Sequence, residues 1–351
     1  MRDNKFIDVH VILSIICIFV MSYTGSIIYN FIYMFLSITT IFWHAKLYKE
    51  YLIYLIYISI LIILTMFFSH EMRFGYILYF ISGITLGYTI AIYGVSKKWS
   101  SFLFIILSLF FIYKYLTVEN YNTDIFNGMS RNGIAIMMIW MFALAVISGV
   151  SKKTISLFAL ITFIISAFSG SRSGLFSSSL LLLIPFIEGN KKQKILILLF
   201  FALSIVYFIN LEDLFSVVFE RLQRQGLTDP GRALVIQCYK DRFSLSTAIL
   251  GINYDGGRYC GTLAVGTYAL HNSYLGLQSL AGGVGFISLL YLLMKTLKKL
   301  YSLSLLYFIT FSAILLRSIT DDVLFFNKWD YILWAFIFIS IIKVKYVLQK
   351  A

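Results

Sequence analysis

Apolar residues fall along this chain in long unbroken runs of roughly 15–21 residues, separated by short polar stretches. Such runs occupy 7–23, 27–43, 51–68, 74–94, 100–117, 131–149, 154–169, 173–187, 195–209, 273–293, 300–317 and 331–347. A bilayer's hydrocarbon layer is about 30 Å thick, and a helix rises about 1.5 Å per residue. Each run is therefore long enough, or nearly so, to cross a membrane as a helix, and twelve spans are expected. The three shortest, 154–169, 173–187 and 195–209, are expected to pack inside the bundle. Transmembrane strands would alternate apolar and polar positions over about ten residues, which these runs do not. Open sheets are excluded in lipid, where each unpaired N–H or C=O costs several kcal/mol. The first run is followed by Gly25 and at once by a second run, so it reads as a retained span and not a cleaved leader.

Composition agrees with this pattern. Of 351 residues, 60% are hydrophobic and 13% charged, with a mean hydropathy of +0.86. Soluble domains are about 45–50% apolar and about 25% charged. The expected fold class is an all-α polytopic membrane protein forming one integrated domain. Residues 1–209 supply nine helices, 210–272 one large polar loop and 273–351 three more helices.

Charge then orients the chain. Alternate connections, at 1–5, 44–50, 96–98, 151–153, 188–194, 295–299 and 343–350, carry 17 Lys or Arg against 4 Asp or Glu, counting Asp8. The opposite set carries 12 of each, so the formal net charge of +13 sits wholly on one side. The positive-inside rule makes that side cytoplasmic, with both termini there and the long loop outside. The basic balance is thus a topology signal and gives no ground for a nucleic-acid partner. The cytoplasmic set is almost all Lys, with Arg2 its only Arg, whereas Arg73, Arg131, Arg172, Arg221, Arg224, Arg232, Arg242, Arg258 and Arg317 lie outside. Arg presents a planar fork that grips carboxylate or phosphate. These side chains either hold an anionic substrate or pair with the acids of their own face.

The loop at 210–272 holds enough apolar residues to pack. Residues 211–225, with Arg221 and Arg224, form an amphipathic pattern suited to the interface. A turn at Thr228-Asp229-Pro230-Gly231 precedes a helical pattern from Arg232 to about Ser246, and 251–266 reads as irregular backbone rich in Gly and Tyr. Cys238 and Cys260 share this loop, while Cys17 lies in the first span. In an oxidising compartment the pair either forms a disulfide, worth about 3 kcal/mol, or stays as two thiols.

Three positions carry candidate chemistry. His271 sits where the long loop meets a span, in Ala-Leu-His271-Asn272-Ser-Tyr274-Leu. An imidazole at the membrane surface beside an Arg-rich loop suits a general base; the competing reading is a hydrogen-bonded interfacial His. Arg172, in Ser-Gly-Ser-Arg172-Ser-Gly, stands between two apolar spans, where a charge is costly unless satisfied; snorkelling is its alternative. Arg232 opens a helix after a turn. Arg131, beside Asn132 and Gly133, opens another span. Asp321 and Asp322 are expected to partner Arg317. No Walker-type loop, CxxC or HExxH occurs, and no metal or cofactor is expected. Few acids fall at mid-membrane depth, which argues against an ion-coupled transporter.

Taken together, Ser-Arg172-Ser, Pro-Gly-Arg232 with the following Leu250-Gly251-Ile-Asn, His271-Asn272 with the later Gly282-Gly-Val-Gly285, and a large outer loop before three last spans resemble the O-antigen polymerase/ligase superfamily of bacterial envelope glycan assembly. The resemblance covers mainly 165–325. It implies a GT-C-like helical fold in the inner membrane and metal-independent, inverting glycosyl transfer at the periplasmic face. The donor would be a glycan on undecaprenyl diphosphate. A polymerase moves it to a second lipid-linked repeat unit, and a ligase moves it to lipid A–core. The shorter chain and compact outer loop favour the polymerase. By this resemblance Arg172 and Arg232 hold the leaving diphosphate and His271 orients or deprotonates the acceptor hydroxyl. Arg131, Arg221, Arg224, Asn272 and Tyr274 complete the expected substrate site. Partners are the lipid-linked oligosaccharide, the bilayer and a chain-length regulator. The rival from another class is a lipid-linked oligosaccharide flippase, which would move the same anionic lipid without covalent change. A non-catalytic assembly partner is the third reading.

Overall fold

The computed structural model describes residues 5–40, 74–118, 132–188, 230–252 and 272–348, with isolated positions between 53 and 64 and at 125–126. Among these residues every regular element is a helix. In chain order they are α1 (Lys5–Thr24), α2 (Ile27–Thr39), α3 (Phe74–Tyr93), α4 (Lys97–Thr117), α5 (Asn132–Ile147), α6 (Lys152–Phe168), α7 (Arg172–Leu181), α8 (Leu183–Glu188), α9 (Pro230–Asp241), α10 (Leu245–Leu250), α11 (Ser273–Leu303), α12 (Leu305–Ser318) and α13 (Asp330–Leu348). Ten of the twelve expected spans coincide with helices; 51–68 is described only in part and 195–209 lies outside the described residues. Ile7–Thr24, Gly75–Tyr93, Lys97–Thr117 and Ser273–Leu303 are long and apolar enough to cross a membrane, and several shorter apolar helices accompany them.

The exposed face of α4 runs Phe102, Ile105, Ile106, Leu109, Ile112, Tyr113 and Leu116. That spacing of three and four residues makes one continuous apolar stripe open to the surroundings, a surface that only lipid covers without cost. At the other extreme, α5 is buried from Gly133 to Val146 on every side. It is the axis of the bundle, which explains why its sequence shows no polar face. Among the described residues the protein is all-helical, and its apolar helices mark it as membrane-embedded.

Three boundaries differ from the sequence expectation. The span expected over 173–187 is two helices broken at Leu182. Pro185 causes the break, because its ring conflicts with the carbonyl four residues earlier and it has no N–H to offer it. The connection expected at 295–299 is helical; α11 continues through Lys295, Lys298 and Lys299 to Leu303, and one extended residue, Ser304, makes the turn. Long lysine stems let a helix run on past the apolar layer while the charge reaches water. The single helix expected from Arg232 to Ser246 is α9 followed by α10. Its break is a capping box. The Ser244 hydroxyl accepts the Thr247 N–H at 3.3 Å, and the Thr247 hydroxyl accepts the Ser244 N–H at 2.7 Å.

The described connections gather at two ends of the bundle. At one end the Ser96 N–H before α4 donates to Asp8 of α1 at 3.1 Å, and the Lys97 stem lies against Gly149 beyond α5. At the opposite end gather the starts of α5, α7, α11 and α13 and the finish of α12. α3 and α13 hold this frame closed. A Cβ on Gly83 would stand 2.9 Å from that of Asp330, and one on Gly87 would stand 2.6 Å from that of Trp334. Small residues four apart let two membrane helices approach this closely.

Candidate functional site

At the polar end of the bundle one buried side chain ties four segments together. Arg317, in the last turn of α12, has no exposed surface. Its Nη1 donates to the Ser173 hydroxyl at 2.9 Å and to the Thr320 hydroxyl at 3.1 Å, and its Nη2 donates to the Asn132 carbonyl at 3.3 Å. Nη1 also pairs with the Asp321 carboxylate, the partnership the sequence predicts. Asn132 begins α5 and follows Arg131; Ser173 is the second residue of α7 and follows Arg172. Gly174 lets α7 lie on α5 here, since a Cβ there would overlap that of Ala135.

A second knot joins α11 to the same place. The buried Ser273 hydroxyl donates to the Asp321 carbonyl at 2.8 Å and accepts the Val323 and Leu324 N–H groups at 2.9 and 3.1 Å. One hydroxyl thus satisfies three backbone groups of the strap between α12 and α13. The strap continues to Asp330, whose carboxylate accepts the Phe325 and Asn327 N–H groups at 2.8 and 3.0 Å. Between these anchors Phe325 and Phe326 hold φ of 65° and 68°. Such backbone costs about 1–3 kcal/mol per residue and persists only where its surroundings fix it. Ser273→Ala is expected to leave the Leu324 N–H without its partner and the Val323 N–H and Asp321 carbonyl with only each other at 3.2 Å, and to lower stability by about 1–3 kcal/mol. Detergent melting of the purified variant checks this, and an unchanged melting temperature would rule out the clamp.

The outer segment docks on α11. Tyr239 of α9 hydrogen-bonds Gln278, and burial pushes its hydroxyl up to about 12, so it stays a donor. Gln278 Nε2 donates to the Thr247 and Ala248 carbonyls at 2.9 and 3.2 Å, and the Ser279 hydroxyl donates to the Ile252 carbonyl at 2.8 Å. Two glycine motifs that are separate in sequence meet here. Gly251 (φ 91°) would place a Cβ 2.5 Å from the Ser279 carbonyl, and Gly282 (φ 66°), where α11 kinks, abuts the Ile249 carbonyl. Both positions require glycine for conformation and for room. Cys238, on α9, is disulfide-bonded; its expected partner, Cys260, lies outside the described residues.

Of the sequence-predicted site residues, Arg172 is the first residue of α7 and Arg232 stands in the first turn of α9, two turns before Tyr239. Their side chains, and His271, Arg131, Arg221 and Arg224 altogether, lie outside the described residues. Asn272 caps α11, its Oδ1 accepting the Tyr274 and Leu275 N–H groups at 2.9 and 3.1 Å. Tyr274 turns its hydroxyl to the Leu315 carbonyl at 3.2 Å and its ring to Phe325. Both are thus engaged in structure. Sequence reasoning missed Ser273 and treated Arg317 only as a partner for acids. Its position at the end of an apolar run was the available signal.

The chemistry of this face follows from helix ends. The starts of α5, α7 and α11 meet around Arg317–Asp321, and helix N-termini carry partial positive charge and free N–H groups. Ser171 caps α7 by accepting the Gly174 N–H at 3.2 Å. The starts of these three helices bring their polar ends to one place in the fold. No protein-family model matches the chain, and no curated protein matches it.

Proposed function

We propose that this protein is an inner-membrane polymerase of O-antigen or a related surface polysaccharide, with a twelve-span GT-C-like fold and its site on the periplasmic face. The observation that carries this reading is the Arg317–Asp321 joint. It gathers Asn132, Ser173 and Ser273, which follow Arg131, Arg172 and the His271-Asn272 pair in the chain. The disulfide at Cys238 supports an oxidising compartment for this face.

In the reaction, the glycan leaves undecaprenyl diphosphate for a hydroxyl of a second lipid-linked repeat unit. The acceptor oxygen attacks the anomeric carbon as the bond from that carbon to the diphosphate oxygen breaks, so the configuration inverts. His271 takes the acceptor's proton. Arg172 and Arg232 hold the diphosphate and stabilise the charge that grows on it, an electrostatic contribution that needs no proton transfer to the leaving group. The donor's lipid chain keeps the reacting centre at the interface, where the helix starts lie.

Complementation tests the reading. In a strain lacking its own polymerase, the wild-type chain is expected to restore a ladder of glycan lengths, while His271→Ala, Arg172→Ala and Arg232→Ala leave single repeat units on lipid A–core at equal expression. Normal ladders from all three variants would remove the site assignment. Glycan restored to core in a strain lacking its ligase would identify a ligase, and glycan accumulating on the cytoplasmic side a flippase.

A further inference from the structure

The strap between α12 and α13 carries a cation that the joint does not use. Lys328 lies between two pinned residues. The Asn327 N–H is held by Asp330 at 3.0 Å, and the Trp329 carbonyl accepts the Trp140 indole N–H of α5 at 2.8 Å. The Trp329 ring is wedged between Phe19 of α1 and Trp140, with ring centres 6.3 Å away on each side. The backbone on both sides of Lys328 is therefore fixed, and its side chain is largely buried. Its ammonium lies 5.6 Å from the centre of the Trp329 ring, and among the described residues no hydrogen bond or ion pair holds it. The three acids of the strap are engaged elsewhere. Asp321 pairs with Arg317, Asp330 holds backbone N–H groups, and Asp322 has an interaction of its own.

An ammonium on a largely buried stem with no anion beside it is costly to keep, and ionisable residues within a membrane bundle are by default functional. We propose that Lys328 binds the phosphate of a lipid-linked anion, and that this anion is the polyprenyl diphosphate of the substrate. The assignment rests on the reading of the chain as a glycosyltransferase and deepens it. A bilayer phospholipid would offer the same chemistry from another source. The polyprenyl source is favoured because Lys328 sits eleven residues beyond Arg317 on the strap that Ser273 ties to the start of α11. Burial alone lowers its ammonium to about 8. The charged groups nearest it in the chain are Asp322 and Asp330 of the strap; among the described residues α3 and α5 carry no charged residue, and Lys5, Asp8 and His10 of α1 lie at the far end from Phe19.

The test is binding of farnesyl diphosphate to the purified full-length protein in detergent, with farnesol as the uncharged control and phosphatidylglycerol as the competing headgroup. Lys328→Met is expected to weaken farnesyl diphosphate binding about tenfold or more, the scale of one charge-assisted contact, and to leave farnesol binding unchanged. Lys328→Arg is expected to bind within about threefold of wild type. Lys328→Met should melt no lower than wild type, because it removes an unpaired buried charge; a purely structural lysine would not give that combination. Wild-type affinity should be flat below about pH 8 and fall above it as the ammonium is lost, with Lys328→Arg flat throughout. Equal binding by Lys328→Met and wild type overturns the proposal, as does competition by phosphatidylglycerol at equal strength. A protein that binds farnesyl diphosphate through Lys328 but builds no ladder refutes the polymerase reading alone. A normal ladder from Lys328→Met refutes this assignment alone.

Discussion

Arg317→Ala is expected to destabilise the protein by about 3–5 kcal/mol, the usual cost of removing one partner from a buried ion pair, and to abolish the glycan ladder. The guanidinium is wholly buried and donates to Ser173, Thr320 and the Asn132 carbonyl while pairing with Asp321. Truncation leaves the Asp321 carboxylate without its cation in a dry site. It also frees the starts of α5 and α7 from the end of α12. Replacing both charges tells these effects apart. Arg317→Met combined with Asp321→Leu removes the buried charges together and is expected to melt well above Arg317→Ala. The double variant should still lack the ladder, because nothing then positions the segments that carry Arg131 and Arg172. Detergent melting and the glycan gel give the two readouts. A single variant as stable as wild type would show that the joint does not organise this end of the bundle.

Gly87→Val is expected to cost about 3 kcal/mol, the upper part of the range for overpacking a tight interface. Its first added carbon would fall 2.6 Å from the Trp334 Cβ, 2.6 Å from the Tyr331 carbonyl oxygen and 2.8 Å from the Ala335 nitrogen. Two of these atoms are backbone, so no rotamer change relieves the clash and α3 must move off α13. That shift would carry Asp330 and the strap with it. Gly75→Ala, on the same helix, meets nothing within 4 Å and is expected to be neutral or slightly stabilising. The contrast separates helix propensity from packing. Melting temperatures of the two variants decide it, and equal values would mean that the close approach is not needed.

The spans were legible because lipid imposes one rule on every helix that crosses it. A run such as 74–94 needs only length and apolarity to be recognised, and α3 fills it almost to the residue. The grouping of connections was legible from charge in part, since Asp8, Ser96 and Lys97 lie at one end of the bundle. Boundaries set by packing were less so. Nothing in the run 273–293 says that α11 continues ten residues further. The break after α9 was readable, because Ser244 and Thr247 have the spacing of a capping box. So was the cap on α11, because Asn272 stands just before an apolar run; its side chain had been given to the substrate instead. The role of Ser273 was not readable. It depends on three backbone groups some fifty positions away, which no local pattern reports. The Gly251 and Gly282 motifs were visible as motifs, but that each makes room for the other's backbone emerges only from their meeting.

The starts of α5, α7 and α11 and the strap meet around Arg317 and Asp321, and the proposed function places glycosyl transfer there. The most direct test is the reaction itself with purified protein and undecaprenyl-diphosphate-linked repeat units in detergent or vesicles. The expected result is glycan chains of increasing length with release of one undecaprenyl diphosphate per bond formed, both lost in His271→Ala. Repeat units that stay single, with no undecaprenyl diphosphate released by the folded wild-type protein, would contradict it.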